Sequence, residues 1–139
     1  MSENYGNDYY GWLTSTAQAV LEGRDFDRAQ VAEELQDMGK SEKRGIVSHL
    51  RVILLHLLKI RYQPDMYIHS SSWDASMRNS RHALLEEFED SPSLAAQANA
   101  LMLRAYPTAR SNAEAETGLP LDTFPKACPF SVEDVIGGE

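Results

Sequence analysis

From Ser41 to Arg61 the apolar positions recur with a helical period. Ile46, Leu50, Ile53, Leu57 and Ile60 stand alternately four and three residues apart, one stripe at about 100° per residue. Val47, Leu54 and Leu58 widen it to an arc of roughly 160°. Val52 and Leu55 fall outside the arc, so this helix is apolar on more than one side. That pattern predicts a central helix with neighbours on several faces. Ser41 is placed to cap it, because its hydroxyl can accept from a free N–H of the first turn. Gly39 can end a preceding helix in the left-handed conformation, and Pro64 marks the far boundary.

The other segments predict partners for this helix. Over Asp8–Glu22 the residues Tyr9, Trp12, Leu13, Thr16, Ala17 and Val20 share a face that Leu21 widens, with Tyr9 and Trp12 as core anchors and Gly23 as terminator. A second helix is expected near Asp27–Met38, capped by Asp25 or Asp27, with Val31, Leu35 and Met38 inward. Tyr62–Ser72 has no helical period and reads as a loop carrying His69; Ser71 or Ser72 can cap the next helix. In that helix Trp73, Met77, Leu84, Leu85 and Phe88 form the apolar face. Arg81 lies within the same stripe and needs a carboxylate or carbonyl partner, while His82 points to solvent. Ser93 can cap a further helix from Leu94, whose inward residues Leu94, Ala98, Leu101, Met102, Ala105 and Ala109 are mostly small. Pro107 should kink or divide that run, and Gly118 closes it near Glu116. The tail has Pro120, Pro125 and Pro129 and reads as an extended strap pinned by Leu119, Leu121, Phe124 and Phe130. Ser131 and Asp134 form a capping box opening a short helix through Ile136. No period-two segment and no Asn-Gly or Asp-Gly turn is present. The fold class is therefore all-α: a compact bundle of about five to six helices around a long central helix, with an extended C-terminal strap.

Length and charge narrow this further. The 139 residues suffice for one domain, 1–139, and hardly for two. The longest nearly pure apolar run, Val52–Leu58, is far short of the ~18 residues of a membrane span. The start, MSENYGNDYYGW, lacks a basic segment followed by an apolar one, and Cys128 is alone, so a reducing, cytoplasmic setting is expected. The net charge is −8, yet within Ser41–Gln63 the cations Lys43, Arg44, Arg51, Lys59 and Arg61 face only Glu42. A basic helix wrapped by acidic segments suggests charge matched internally. It disfavours non-specific nucleic-acid binding, which needs a net basic face.

Several short stretches together are similar to a known family: Asp8-Tyr9-Tyr10-Gly11-Trp12-Leu13, Met38-Gly39-Lys40-Ser41-Glu42-Lys43-Arg44, Ser48-His49-Leu50-Arg51-Val52, His56-Leu57-Leu58-Lys59 with Tyr62-Gln63-Pro64, and Glu116-Thr117-Gly118-Leu119-Pro120 with Phe124-Pro125 and Cys128-Pro129. The chain resembles, over nearly its whole length, the bacterial domain of unknown function 29 (DUF29), found widely in cyanobacteria and in some proteobacteria. The resemblance implies an all-helical, soluble bacterial protein and supplies no activity, substrate or site. One departure is Ile60, where the family pattern leads one to expect an aromatic side chain.

The candidate chemistry is sparse. His49 and His56 are seven residues apart, about 20° around the helix and roughly 10 Å along it. Sharing one metal ion from a single helix usually takes an i, i+4 pair, so no metal site is assigned. Buried or half-buried imidazoles bonded to a neighbouring carboxylate or carbonyl are the simpler reading. A small-ligand pocket is the alternative, with His49, His56 and Arg51 as candidate ligand-binding residues beside Glu33 and Glu34; Glu116 is a third acid to examine. Cys128, between Ala127 and Pro129, has no evident base to activate it. No glycine-rich phosphate loop, HExxH or CxxC pair occurs, and neither a catalytic residue nor a cofactor is assigned. Val31–Leu50 has the outline of a helix-turn-helix, but its second helix is too apolar to lie in a groove. The expectation is a non-enzymatic helical interaction module that binds another protein or forms a homodimer, Ala98 and Ala105 offering a small-residue face. A metal- or small-ligand-binding protein, possibly an enzyme, is the first alternative and a DNA-binding protein the weaker one.

Overall fold

A computed structural model describes residues 7–63 and 71–137. Asp8 opens the first helix, α1 (Tyr9–Glu22), by accepting from the Gly11 N–H at 2.9 Å, and Gly23 closes it at φ 72°. Asp27 then accepts from the Gln30 N–H at 3.1 Å and starts α2 (Arg28–Tyr62). Next come α3 (Ser71–Asp90), a single turn α4 (Pro92–Ala95), α5 (Ala98–Thr117), a 3₁₀ turn (Leu121–Thr123) and α6 (Val132–Ile136). Among the described residues there is no strand, and no helix is long and apolar enough to cross a membrane. The all-α class and the long central helix stand as the periodicity indicated.

The expected break at Gly39–Ser41 does not occur. Arg28 to Tyr62 form one helix of 35 residues, and neither Gly39 nor Gly45 has a positive φ. A glycine inside a helix costs about 1 kcal/mol relative to alanine. Breaking here would leave backbone groups unbonded at two new ends, and the flanking Gln36, Lys40, Glu42, Lys43 and Arg44 are good helix formers. The chain divides into two compact units, residues 1–41 and 42–139.

In the first unit, α1 and the opening turns of α2 form a helical hairpin. Trp12 and Ala19 are buried, but Tyr9, Leu13 and Val20 are exposed, Leu21 is 82% exposed, and Leu35 and Met38 on α2 are 62% and 54% exposed. Tyr9 is thus no core anchor; its ring stacks on Trp12 at 6.3 Å and its hydroxyl donates to Glu34. Two helices in contact cover only part of each other's apolar stripe, and the remainder stays open.

The second unit holds the large core. Ile46, Leu50, Ile53, Leu54 and Leu58 of α2 are buried with Leu84 of α3, Leu101, Met102, Ala105 and Ala109 of α5, Phe124 of the strap and Val135 of α6. The small inward residues of α5 are as expected, and Ala98 and Ala105 are consumed by this core, so they offer no face to a second copy. Pro107 does not divide α5. An interior proline costs about 3 kcal/mol, but Ala105 and Ala109 on either side of it are fully buried, and that packing holds the helix together. The helix expected from Leu94 is instead the turn α4, with Pro92 in its first turn, followed by a new start at Ala98.

Three polar anchors fix the end of the chain. Arg81 finds the carbonyl partners its position required: Nε donates to Val135 O at 2.7 Å and Nη2 to Asp134 O at 2.9 Å. The capping box forms as read, Ser131 Oγ accepting from Asp134 N and Asp134 Oδ2 from Ser131 N. Along the strap, Tyr106 donates its hydroxyl to Pro125 O at 2.6 Å, and Arg110 Nε and Nη2 donate to Phe124 O and Leu121 O. Burial, first among the causes, pushes the Tyr106 phenol up to about 12. The expected loop with His69, and the side chains of Ser71 and Ser72, lie outside the described residues.

Candidate functional site

Buried polar groups in the second unit gather around His56. The inward turn of α2 that buries Leu54 and Leu58 carries His56 and Lys59 with it, leaving them 6% and 5% exposed. Lys59 Nζ pairs with Glu116 of α5 and lies 4.4 Å from the ring centroid of Trp73 on α3. The His56 ring tilts against the same indole at 6.0 Å between centroids, and its buried Nδ1 has no hydrogen-bond partner among the described residues. Three elements thus build one small polar site: an ammonium held between a carboxylate and a π face, and an imidazole nitrogen with an open bonding position.

The imidazole titrates below the ordinary histidine value. Burial is the largest cause; the Lys59 charge adds to it and Glu116 opposes it. A depressed histidine value makes the neutral ring part of the native state. The unfolded chain then binds more protons below about pH 6.5, and stability rises with pH in that window. The contribution is complete above 6.5 and is lost as pH falls through 6.5 toward the native value. Urea midpoints should therefore fall from about pH 7.5 to about pH 5.5, and His56→Phe should flatten that part of the profile. An unchanged slope in the variant would assign the dependence to other groups.

A second grouping went unread in the sequence. Glu87 of α3 lies close enough to Glu42 of α2 and to His49 for both to bear on its titration. Burial raises the Glu87 pKa first, Glu42 raises it further by charge and hydrogen bond, His49 lowers it and Asp90 raises it. No spacing rule foretells it, since the two acids are 45 positions apart in sequence. His49 is half-buried and Arg51 exposed. Glu33 and Glu34 belong to the first unit, whereas His49, Arg51 and His56 belong to the second. Of the acids Glu33, Glu34 and Glu116, Glu116 stands beside His56. Among the described residues no three histidine, cysteine, aspartate or glutamate side chains are grouped to hold a metal ion. Burial pushes the Cys128 thiol up, away from the thiolate a nucleophile needs.

The model of the family described as "Domain of unknown function DUF29" matches residues 4–139. The chain belongs to this family. No curated protein and no solved structure matches it. Membership in DUF29 carries no residue role with it. In this DUF29 chain Ile60, the position where an aromatic was expected, lines a cleft of about 730 Å³ with Leu57, Met77 and Leu85. The cleft's cations are engaged: Arg78 with Asp74 at 2.6 Å, and Arg81 with the two α6 carbonyls. His82 at its edge is exposed, as the helical wheel indicated.

Proposed function

We propose that this DUF29 chain is a non-enzymatic helical interaction module, binding another protein or a copy of itself through an open helical face. The observation that carries the reading is the exposure of Tyr9, Tyr10, Leu13, Val20, Leu21, Leu35 and Met38, all within the 41-residue first unit. A contiguous apolar face on a soluble chain marks a site of association. The hairpin buries little of its own, which a segment completed by a partner would do. The test is a triple variant, Val20→Gln, Leu35→Gln and Met38→Gln. Side chains already in water are worth within about 0.5 kcal/mol each when replaced, so the urea midpoint should hold while association is lost. A loss of several kcal/mol would make the face part of the fold and end the reading.

A second reading rests on the Nδ1 of His56, which has no partner among the described residues: a small polar ligand bound beside Lys59 and Trp73. It predicts a stoichiometric small molecule in native mass spectra of the purified protein, absent from His56→Phe. Spectra of bare protein, with elemental analysis free of metal, would remove it.

A further inference from the structure

We propose that the groove of the first-unit hairpin receives a basic amphipathic helix; this deepens the interaction-module reading and rests on it. The groove is lined by Leu13, Ala17 and Val20 of α1 and by Val31, Leu35 and Met38 of α2. Both sets follow the same i, i+4, i+7 spacing, so the groove has two apolar ridges running along helices. Its volume is about 200 Å³, below the roughly 300–1,000 Å³ of small-molecule sites. Its walls are largely apolar, with Thr16 and Glu34 the polar residues among those lining it. Such a trough suits a row of aliphatic anchors at i, i+3, i+4 and i+7 from a third helix.

Charge decides which helix. Residues 7–41 carry Asp8, Glu22, Asp25, Asp27, Glu33, Glu34 and Asp37 against Arg24, Arg28 and Lys40, a net of −4. Arg24 is paired with Glu22, and Arg28 lies 5.0 Å over the Phe26 ring. Glu34 lines the groove, and Asp37 follows it one turn later on α2. Between Asp8 and Glu22, α1 has no charged residue, so the acidic character lies along the α2 side. A second copy of the hairpin would bring −4 against −4, and an anionic membrane surface would be repelled likewise. A helix with lysine or arginine flanking its apolar stripe is attracted to this face and oriented by it.

The test uses the full chain and three fluorescent peptides of about 18 residues. The first has leucines at helical spacing flanked by lysines, the second the same leucines flanked by glutamates, and the third the first composition with the leucine spacing scrambled. Anisotropy titration should show the basic peptide binding at least about tenfold tighter than either other. Its affinity should fall between about 50 and 300 mM salt, and by at least about tenfold in Leu35→Asp and in Met38→Gln, each checked for an unchanged circular dichroism spectrum. Equal binding of the lysine and glutamate peptides would overturn the choice of a basic partner and leave the module reading standing. Equal binding of the scrambled peptide would reduce the effect to bulk charge and overturn the groove. A dimer in light scattering that Leu35→Asp dissolves, with no peptide bound, would make a second copy the occupant. No peptide bound, a monomer throughout, and strong destabilisation in both groove variants would overturn the module reading as well.

Discussion

Phe124→Ala should lower the unfolding free energy by about 3–5 kcal/mol, the usual range for deleting a buried phenyl ring. Phe124 is the largest of the fully buried side chains, and it comes from the extended strap rather than from a helix. Its ring meets Tyr62 edge-on at 5.4 Å, and its carbonyl accepts from Arg110 at 3.0 Å. Alanine would leave a cavity beside Tyr62 in the core, and would remove the strap's largest apolar anchor while leaving its hydrogen bonds to Tyr106 and Arg110. Urea denaturation measures the loss, and amide exchange across residues 119–130 should rise with it. Phe124→Leu keeps much of the volume and should cost less. A change below about 1 kcal/mol for the alanine variant would show that the strap contributes little to the core.

The second large effect is an asymmetry in the Lys59–Glu116 pair. Glu116→Ala removes the carboxylate and leaves an ammonium that is 5% exposed against the Trp73 face and close to the His56 imidazole. Stranding a buried charge costs about 3–5 kcal/mol. Here Glu116 is itself 48% exposed and water screens the pair, so about 2 kcal/mol is expected. Lys59→Met removes the charge and keeps the stem's packing, and should be neutral to within about 1 kcal/mol. The double variant should match Lys59→Met alone, because with no buried charge Glu116 has nothing to neutralise. Equal costs for the two single variants would mean that the pair contributes through attraction and that desolvation of the lysine is minor.

How much of this was legible depends on the range over which each signal acts. The caps at Asp27, Gly23 and Gly118 were readable because a cap concerns a few neighbouring residues. The Ser131 box and the need for a carbonyl near Arg81 were readable for the same reason: one side chain states a local demand. Gly39 and Ser41 misled about the helix, since a glycine is a weak prior that continuous helix formers on both sides override. At the site, burial of His56 followed from the stripe, but its open Nδ1 and its Trp73 neighbour did not. A wheel gives the direction of a side chain and says nothing of which partner arrives there.

The helical class, the inward stripe of α2, the small inward residues of α5 and the strap with its terminal helix were determined by the sequence alone, because each follows from periodicity or from chemistry within one turn. Tertiary structure decided the rest. It placed Glu116 on Lys59 and Glu42 beside Glu87, and it left Leu35 and Met38 in water although their spacing is that of a core face. Amphipathic spacing specifies that a face seeks a partner; whether the chain supplies one depends on which residues distant in sequence come to lie against it.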